Sequence, residues 1–205
     1  MASEKEKMLN GKLYNCINKE LYSELVSCYA LCLKYNQLGK EQREERARVL
    51  KELCPHSSDT VYLNGPVYFD FGKNTYFGQN VYANSNLTIL DCAPVYIGDN
   101  VFIGTNVSLI TPMHPLLKEE RRKVLKEGAF TELAYAKSVR ICDDVWLCSD
   151  VKVLPGVTIG EGSVIGAGSV VTHDIPSNVL AAGNPCRVIR ELNEEDSVFK
   201  KPDLF

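Results

Sequence analysis

The sequence predicts a mainly β protein: a solenoid of short stacked strands behind an N-terminal helical segment, interrupted by one long loop. Three observations carry this. Every sixth residue from Ile141 to Val171 is aliphatic (Ile141, Leu147, Val153, Ile159, Ile165, Val171), and Ile97, Ile103 and Leu109 keep the same step. A glycine or small residue usually follows the aliphatic one, as in Ile97-Gly98, Ile103-Gly104, Ile159-Gly160 and Ile165-Gly166. The first fifty residues instead carry apolar residues at helical spacing. A helix repeats at 3.6 residues and an ordinary strand at 2, so a period of six is a third kind of signal. It describes short strands joined by tight corners, each sending one apolar side chain into a central column. Neighbouring strands in such a stack lie about 4.8 Å apart, and the small residue after each aliphatic one lets the corner bend. Cys142 and Cys148 take that place as small apolar side chains, with no redox role required.

Ser3-x-x-Glu6 predicts a capping box for a first short helix, ended by Gly11. Residues 19–36 place Leu21, Leu25, Val26, Tyr29, Ala30 and Leu33 on one helical face, and Gly39 breaks the helix. Residues 40–53 predict a charged helix with Ala47, Leu50 and Leu53 inward and its charges on a solvated face; Cys54-Pro55 stops it. From residue 59 the chain turns to Val, Tyr, Phe, Gly and Asn, the composition of short strands and corners. Residues 115–137 break the six-residue period with Pro115, a basic run from Lys118 to Lys126, and Gly128; an excursion of this length is more often functional than accidental. The period resumes at Val139 and runs to about Thr172, before a terminal cap at Asp174-Ile175-Pro176 and Asn184-Pro185. The expected organisation is an N-terminal helical segment (1–58), a solenoid domain (59–190) and a polar tail (191–205).

The composition, 45% hydrophobic and 24% charged over 205 residues, is that of a soluble globular chain. A net charge of -3 argues against an extended nucleic-acid footprint. No apolar run approaches the ~18 residues of a membrane span, and the polar start MASEKEKMLNGK lacks the apolar core of a signal peptide, so a cytoplasmic location is expected. The eight cysteines form no Cys-x-x-Cys pair, and three histidines are too few for a zinc ribbon or finger. Cys28 and Cys32, one helical turn apart, are expected as buried small hydrophobes rather than metal ligands, and reduced thiols suit a reducing cytosol.

Longer stretches carry a resemblance. They are Gly11-Lys12-Leu13-Tyr14, Pro66-Val67-Tyr68-Phe69-Asp70-Phe71-Gly72, Tyr82-Ala83-Asn84-Ser85-Asn86, Ile89-Leu90-Asp91, His114-Pro115, Val145-Trp146, Pro155-Gly156-Val157-Thr158-Ile159-Gly160 and Ala182-Gly183-Asn184-Pro185-Cys186-Arg187-Val188-Ile189. Over about residues 5–192 the chain resembles the hexapeptide-repeat acyltransferases, specifically the maltose and galactoside O-acetyltransferases. The resemblance implies a left-handed parallel β-helix, an exception to the right-handed crossover rule. It also implies a homotrimer with active sites between adjacent subunits, acetyl-CoA as co-substrate in the groove between two prisms, and a sugar hydroxyl as acceptor, with no metal required. Zinc enzymes on the same prism need three metal-binding histidines, two of them five apart, and His56, His114 and His173 do not supply that spacing.

Acetyl transfer from a thioester to a hydroxyl needs a base for the hydroxyl proton and a donor for the charge that builds on the carbonyl oxygen. Histidine suits the first role near neutral pH. His114, where the repeat breaks off before Pro115, matches the catalytic base of the resembling enzymes; His56, at a helix end, is expected on the surface. Glu132 is the candidate to orient His114, with Leu133 beside it facing the acceptor. Asn84 matches an asparagine that contacts the acceptor or the reacting groups, although Asn84 and Asn86 could equally form a corner ladder. Asp70 matches an acceptor contact. Cys16 and Cys92 stand where some relatives carry acidic residues toward the sugar, so the acceptor pocket is expected to be altered. Losing such a partner costs on the order of 1–3 kcal/mol for each hydroxyl left unpaired. For the co-substrate, Trp146 matches a ring lining the pantetheine channel, or is a core residue. Ser149 matches the backbone N–H that meets the thioester carbonyl. Ala167 and Thr172 match groove contacts. His173 stands where relatives carry lysine. Arg187 and Arg190 match phosphate ligands, for which guanidinium is suited, or are terminal-cap salt bridges. The rival reading is the same chemistry on a non-sugar or amino-sugar acceptor.

Overall fold

In a computed structural model, which describes residues 2–126 and 128–204, three helices precede a solenoid of about six turns. Helix α1 is Glu4–Leu9, α2 is Lys19–Gln37 and α3 is Arg43–Leu53. The solenoid then visits three parallel sheets in rotation. The first sheet holds His56–Ser57, Thr75–Phe77, Val95–Ile97, Val139–Ile141 and Thr158–Ile159; the second holds Tyr62–Leu63, Tyr82–Ala83, Phe102–Ile103, Trp146–Leu147, Val164–Ile165 and Val179–Gly183. The third holds Val67–Phe69, Leu87–Leu90, Ser108–Ile110, Lys152–Val153 and Val170–Val171. Cys186–Glu191 closes the second sheet antiparallel to Val179–Gly183.

The six-residue period is the geometry of one face, and three faces make one coil. Ile97 pairs with Ile141 and Ile141 with Ile159; Ile103 pairs with Leu147 and Leu147 with Ile165; Leu109 pairs with Val153 and Val153 with Val171. All are buried in one continuous cluster. The excursion at 115–137 leaves this stacking intact, because Ile97 meets Ile141 directly beneath it. Corner residues carry positive φ, and their side chains form a ladder: Asn86 Nδ2 donates to Asn106 Oδ1 at 2.9 Å, and Asn106 Nδ2 donates to Asp150 Oδ1 at 3.1 Å. Asparagine tolerates that backbone region and bridges coils at once, so Asn86 is a corner residue.

The helical segment follows the expected spans but not the expected faces. Ser3 and Glu6 form the capping box, and Gly11 turns the chain at φ +65°. In α2 the inward stripe is Leu21, Cys28, Cys32 and Tyr35, while Val26, Tyr29 and Leu33 are exposed. The surface beneath the helix made this choice. Cys28 Sγ donates to the Phe69 carbonyl at 3.5 Å and the Tyr35 hydroxyl to the Leu63 carbonyl at 2.6 Å, so the buried side needs slim or polar-tipped residues. In α3, Leu50 and Leu53 point inward as expected, but Ala47 is exposed and Arg46 is buried. Arg46 donates from Nη1 to the Leu38 carbonyl at 2.8 Å, and from Nη2 to the carbonyls of Leu63 and Asn64 at 2.7 and 3.0 Å. Its guanidinium lies 4.3 Å from the Tyr35 ring centroid. A planar fork satisfies several fixed acceptors at once, so this charge ties both helices to the first coil rather than facing water.

The excursion has its own structure. Helix α4, Lys118–Arg121, leads to a hairpin of Val124–Lys126 with Ala129–Thr131. The strand Leu133–Ala136 then pairs antiparallel with Pro112–Met113 on one edge and with Tyr14–Asn15 on the other. Among the described residues no helix is long and apolar enough to cross a membrane.

Two substitutions separate these forces. Leu147→Ala, at a side chain with no exposed surface, is expected to cost about 2–5 kcal/mol. Arg46→Ala removes the donor to the Leu38 and Asn64 carbonyls and one of the two donors to the Leu63 carbonyl, which keeps the Tyr35 hydroxyl, and is expected to cost about 2–4 kcal/mol. Urea unfolding of each variant measures both.

Candidate active site

The corner between the second and third sheets carries a groove of about 330 Å³ lined by Tyr82, Asn84, Phe102, Ile103, Gly104, Trp146, Cys148, Ser149 and Ala167. Four predicted residues, Asn84, Trp146, Ser149 and Ala167, thus meet in one place. They do so because 84, 104, 148–149 and 166–167 are the same corner position of successive coils. Trp146 is 51% exposed, so its ring belongs to the groove wall and not to the core. Gly104 is required by close approach: a Cβ there would sit 2.6 Å from the Ser149 nitrogen and 2.7 Å from the Cys148 carbonyl carbon. The Ser149 carbonyl accepts from Gly168 at 2.9 Å, while its N–H has no acceptor among the described residues. Asn84 Oδ1 accepts from the Ser85 N–H at 2.8 Å and from Asn64 Nδ2 at 3.2 Å, which leaves the Asn84 amide nitrogen as an uncommitted donor.

Further up the coil, His173 and Arg187 line one shallow pocket with Asp174, Ile175, Cys186 and Val188. Thr172 Oγ1 lies 2.8 Å from His173 Nδ1. Arg190 is engaged otherwise: it grips Asp196 through two contacts of 2.7 and 2.5 Å, and its guanidinium holds the Asp196 carboxyl well below the usual carboxylate range. Arg187 and Arg190 therefore part company, one lining the pocket and the other bracing the tail.

The corner between the third and first sheets gathers the other predicted residues. The strands Val67–Phe69, Leu87–Leu90 and Ser108–Ile110 end there, delivering Asp70, Asp91-Cys92 and the segment to His114. Cys92 Sγ donates to Asp70 Oδ2 at 3.5 Å. Burial, with Asp91 adding its charge and the thiol opposing, raises the Asp70 carboxyl to about 6. Burial and the neighbouring Asp70 push the Cys92 thiol up, and burial with the Glu132 charge pushes Cys16 up, so both are neutral thiols. The buried Tyr14 hydroxyl, electrostatically linked to Cys92, Cys16 and Asp70, completes the group. Asp91 was not singled out by sequence reasoning. It is fully buried and accepts from the N–H groups of Phe71, Gly72 and Asn74 and from the Thr75 hydroxyl, at 2.8–3.2 Å. The sign was an acid closing an apolar strand, Ile89-Leu90-Asp91.

His114 is exposed, and its Nδ1 lies 3.0 Å from the Leu133 carbonyl oxygen. The group in contact with this nitrogen is thus the main chain of Leu133; among the described residues the hydrogen bonds of Glu132 are its N–H to Asn15 Oδ1 at 3.0 Å and its carbonyl from the Cys16 N–H at 2.9 Å. A strand carbonyl is fixed by its ladder, whereas a glutamate side chain must give up rotamer freedom to do the same work. Because a carbonyl only accepts, Nδ1 carries the proton and Nε2 presents its lone pair.

The two corners are opposite edges of the third sheet. Residues 86–90 separate them, about five residues at ~3.3 Å each, or roughly 16 Å. A base must come within ~3 Å of its proton, so His114 and the Ser149 groove of one chain do not serve one reaction centre. No group of three or more His, Cys, Asp or Glu side chains suited to a metal ion occurs among the described residues.

A three-sided parallel coil with a glycine-floored corner groove and a main-chain-oriented histidine on the opposite corner is the architecture of a hexapeptide-repeat acyltransferase. Residues 7–57 match the maltose acetyltransferase hexapeptide capping motif, 138–173 the bacterial transferase hexapeptide (six repeats) and 94–112 the hexapeptide repeat of succinyl-transferase. The galactoside O-acetyltransferase of Escherichia coli (strain K12) is 42% identical over 191 residues, covering 93% of this chain and 90% of that one. A solved galactoside acetyltransferase in complex with coenzyme A superimposes with a TM-score of 0.86 at 41% identity, covering 96% of this chain and 94% of that one. The maltose O-acetyltransferase from Clostridium difficile 630 gives a TM-score of 0.85 at 37% identity, covering 94% and 99%. The chain belongs to the maltose and galactoside O-acetyltransferase family.

The buried Asp70 makes a pH prediction. Its folded carboxyl, at about 6, lies above the ~3.9 of an unfolded aspartate. Burial penalises the ionised form, so the penalty is absent well below pH 4 and complete above pH 6. Asp70→Asn is therefore expected to gain on the wild type by on the order of 1 kcal/mol as pH rises from about 4 to about 7, with most of the change between the unfolded value and the folded value of about 6 and little beyond it. Urea midpoints across that range test it.

Proposed function

We propose that the protein is an acetyl-CoA-dependent O-acetyltransferase that acetylates a hydroxyl of a maltose-, glucose- or galactoside-like sugar, by direct attack in a ternary complex. The observation that carries this reading is the His114 Nδ1 contact with the Leu133 carbonyl, which leaves Nε2 as a base. The acceptor hydroxyl gives its proton to Nε2 while its oxygen bonds to the thioester carbon. The Ser149 N–H meets the oxygen on which charge collects. The C–S bond then breaks, and coenzyme A leaves as a thiol with the proton returned from His114. Trp146 flanks the pantetheine, Ala167 and Thr172 follow the groove, and Arg187 with His173 faces the phosphates, joined by Arg190 where its pairing with Asp196 allows. Asn84 offers its amide N–H to the reacting groups. An acyl-enzyme on Cys92 is disfavoured, because a thiol pushed toward its neutral form is a poor nucleophile.

The 16 Å between the corners argues for a homotrimer in which His114 of one copy faces the Ser149 groove of the next. Asp70 then meets the acceptor from the same corner as His114. Cys16 and Cys92 present neutral thiols there instead of carboxylates, and Leu133 closes the side beside His114. That thiol substitution favours one second reading: the same reaction on a non-sugar or amino-sugar acceptor. Eight free cysteines agree with a reducing, cytoplasmic setting.

The test is acetyl-CoA-dependent thiol release across mono-, di- and aminosaccharides. Turnover with a neutral sugar supports the first reading; turnover confined to amino-sugar or non-sugar acceptors supports the second. His114→Ala is expected to lower kcat by about 10²–10⁴-fold with the KM for acetyl-CoA within about threefold. Undiminished turnover in that variant would remove His114 from the chemistry. Gly104→Ala is expected to raise the KM for acetyl-CoA at least ~10-fold, since the added methyl displaces the Ser149 amide. At limiting acetyl-CoA, co-expressing His114→Ala with Gly104→Ala is expected to restore part of the activity lost by each through mixed trimers, and failure to do so would count against sites shared between subunits.

A further inference from the structure

We propose that Asn15 is a positioning residue for the reaction: its carboxamide pins the strand whose carbonyl orients His114. The inference rests on the reading of His114 as the base. Asn15 Oδ1 accepts from the Glu132 N–H at 3.0 Å, next in sequence to the Leu133 carbonyl that meets His114 Nδ1. Its Nδ2 faces the Phe130 carbonyl at 3.5 Å. The neighbouring main chain adds the Cys16 N–H to the Glu132 carbonyl at 2.9 Å, and the pairing of Asn15 with Leu133. Asn15 is itself held by α1, where Glu4 Oε2 accepts from its N–H at 2.5 Å. A continuous line of contacts thus runs from the first helix to the imidazole.

The strand needs this pin. Leu133 follows the hairpin of the excursion, where Phe130 is 55% exposed and Leu125 is 65% exposed, so no packed core locates the approach to it. Among the described residues, Asn15 is the only side chain from outside the excursion that hydrogen-bonds residues 128–132. On its other edge the strand is paired with Pro112–Met113, which bears His114. Without the Asn15 carboxamide the main-chain pairing and the buried Ala134 and Ala136 still hold the strand from residue 134 onward, but the Glu132 N–H beside Leu133 loses its side-chain acceptor. The Leu133 oxygen, at the frayed start of the strand, would then shift, and the imidazole it meets would lose its fixed tautomer and aim. A displacement of ~1 Å is enough to cost ~10²-fold in the worst cases. Asparagine suits the task because one short side chain offers an acceptor and a donor to adjacent peptide groups.

The test combines ring NMR with kinetics. The chain has three histidines, and His114→Ala assigns the His114 signals. The wild type should show His114 as the Nδ1–H tautomer when neutral. Asn15→Ala should mix the tautomers, because the carbonyl on Nδ1–H is what selects one of them. In turnover the same variant should lose about 5–20-fold in kcat with both KM values within about twofold. Asn15→Asp, which keeps the acceptor for Glu132, should recover most of both losses. An Asn15→Ala enzyme with the wild-type tautomer would overturn the proposal, as would equal damage in Asn15→Asp. If His114→Ala retains activity, the assignment of the base fails instead. The ring signals still report on Asn15 in that case, so the two failures are distinct.

Discussion

The structure depends on one constraint: three inward side chains per coil must stack in register on the coil below. Parallel strands that share every ladder bond tolerate no slip, because a shift of one residue turns the apolar column outward. Leu147, between Ile103 and Ile165, meets that demand twice over. Once the column is set, every corner is set too. Gly104, Cys148 and Gly166 then fall one above another, and a groove forms along their edge without any residue having been chosen for the groove alone. The same stacking carries Asp70, Cys92 and His114 to the opposite edge. Separation of His114 from the groove is thus a property of the coil, and it is this separation that the proposed trimer answers.

Polar groups at the third-to-first corner are organised by desolvation more than by ion pairing. Asp91 is enclosed and satisfied by four donors, so it staples the corner where Phe71 and Gly72 turn. Among the described residues Asp70 accepts only from the Cys92 thiol, and it is correspondingly easy to protonate. A carboxylate at either cysteine position would add a second buried charge beside it, and thiols avoid that repulsion. The two thiols and the Asp70 carboxyl therefore share one electrostatic arrangement.

Legibility followed the origin of each constraint. The strands, their corners and the capping box of α1 arise from local repetition, and the sequence displayed them. The face of α2 did not show itself, because Leu21-Cys28-Cys32-Tyr35 and Tyr22-Val26-Tyr29-Leu33 are both apolar stripes at helical spacing. Only the surface beneath, with its carbonyls at Leu63 and Phe69, selected the first. Arg46 reads as one of many charges in Arg43–Leu53 until three carbonyls surround it. Glu132 attracted attention as an acid near a histidine, yet the contact is a peptide carbonyl, and a carbonyl has no letter in the sequence.

By itself the sequence determined the repeat, the histidine at the break and the family to which these belong, because each is written in spacing and residue type. Tertiary structure alone decided which helix face is buried, which main-chain oxygen orients His114, and on which corner each site residue stands. Those choices are made by groups far apart in the chain, such as Asn15 with Glu132 and Arg46 with Leu63. Their meeting is fixed only when the coils have stacked.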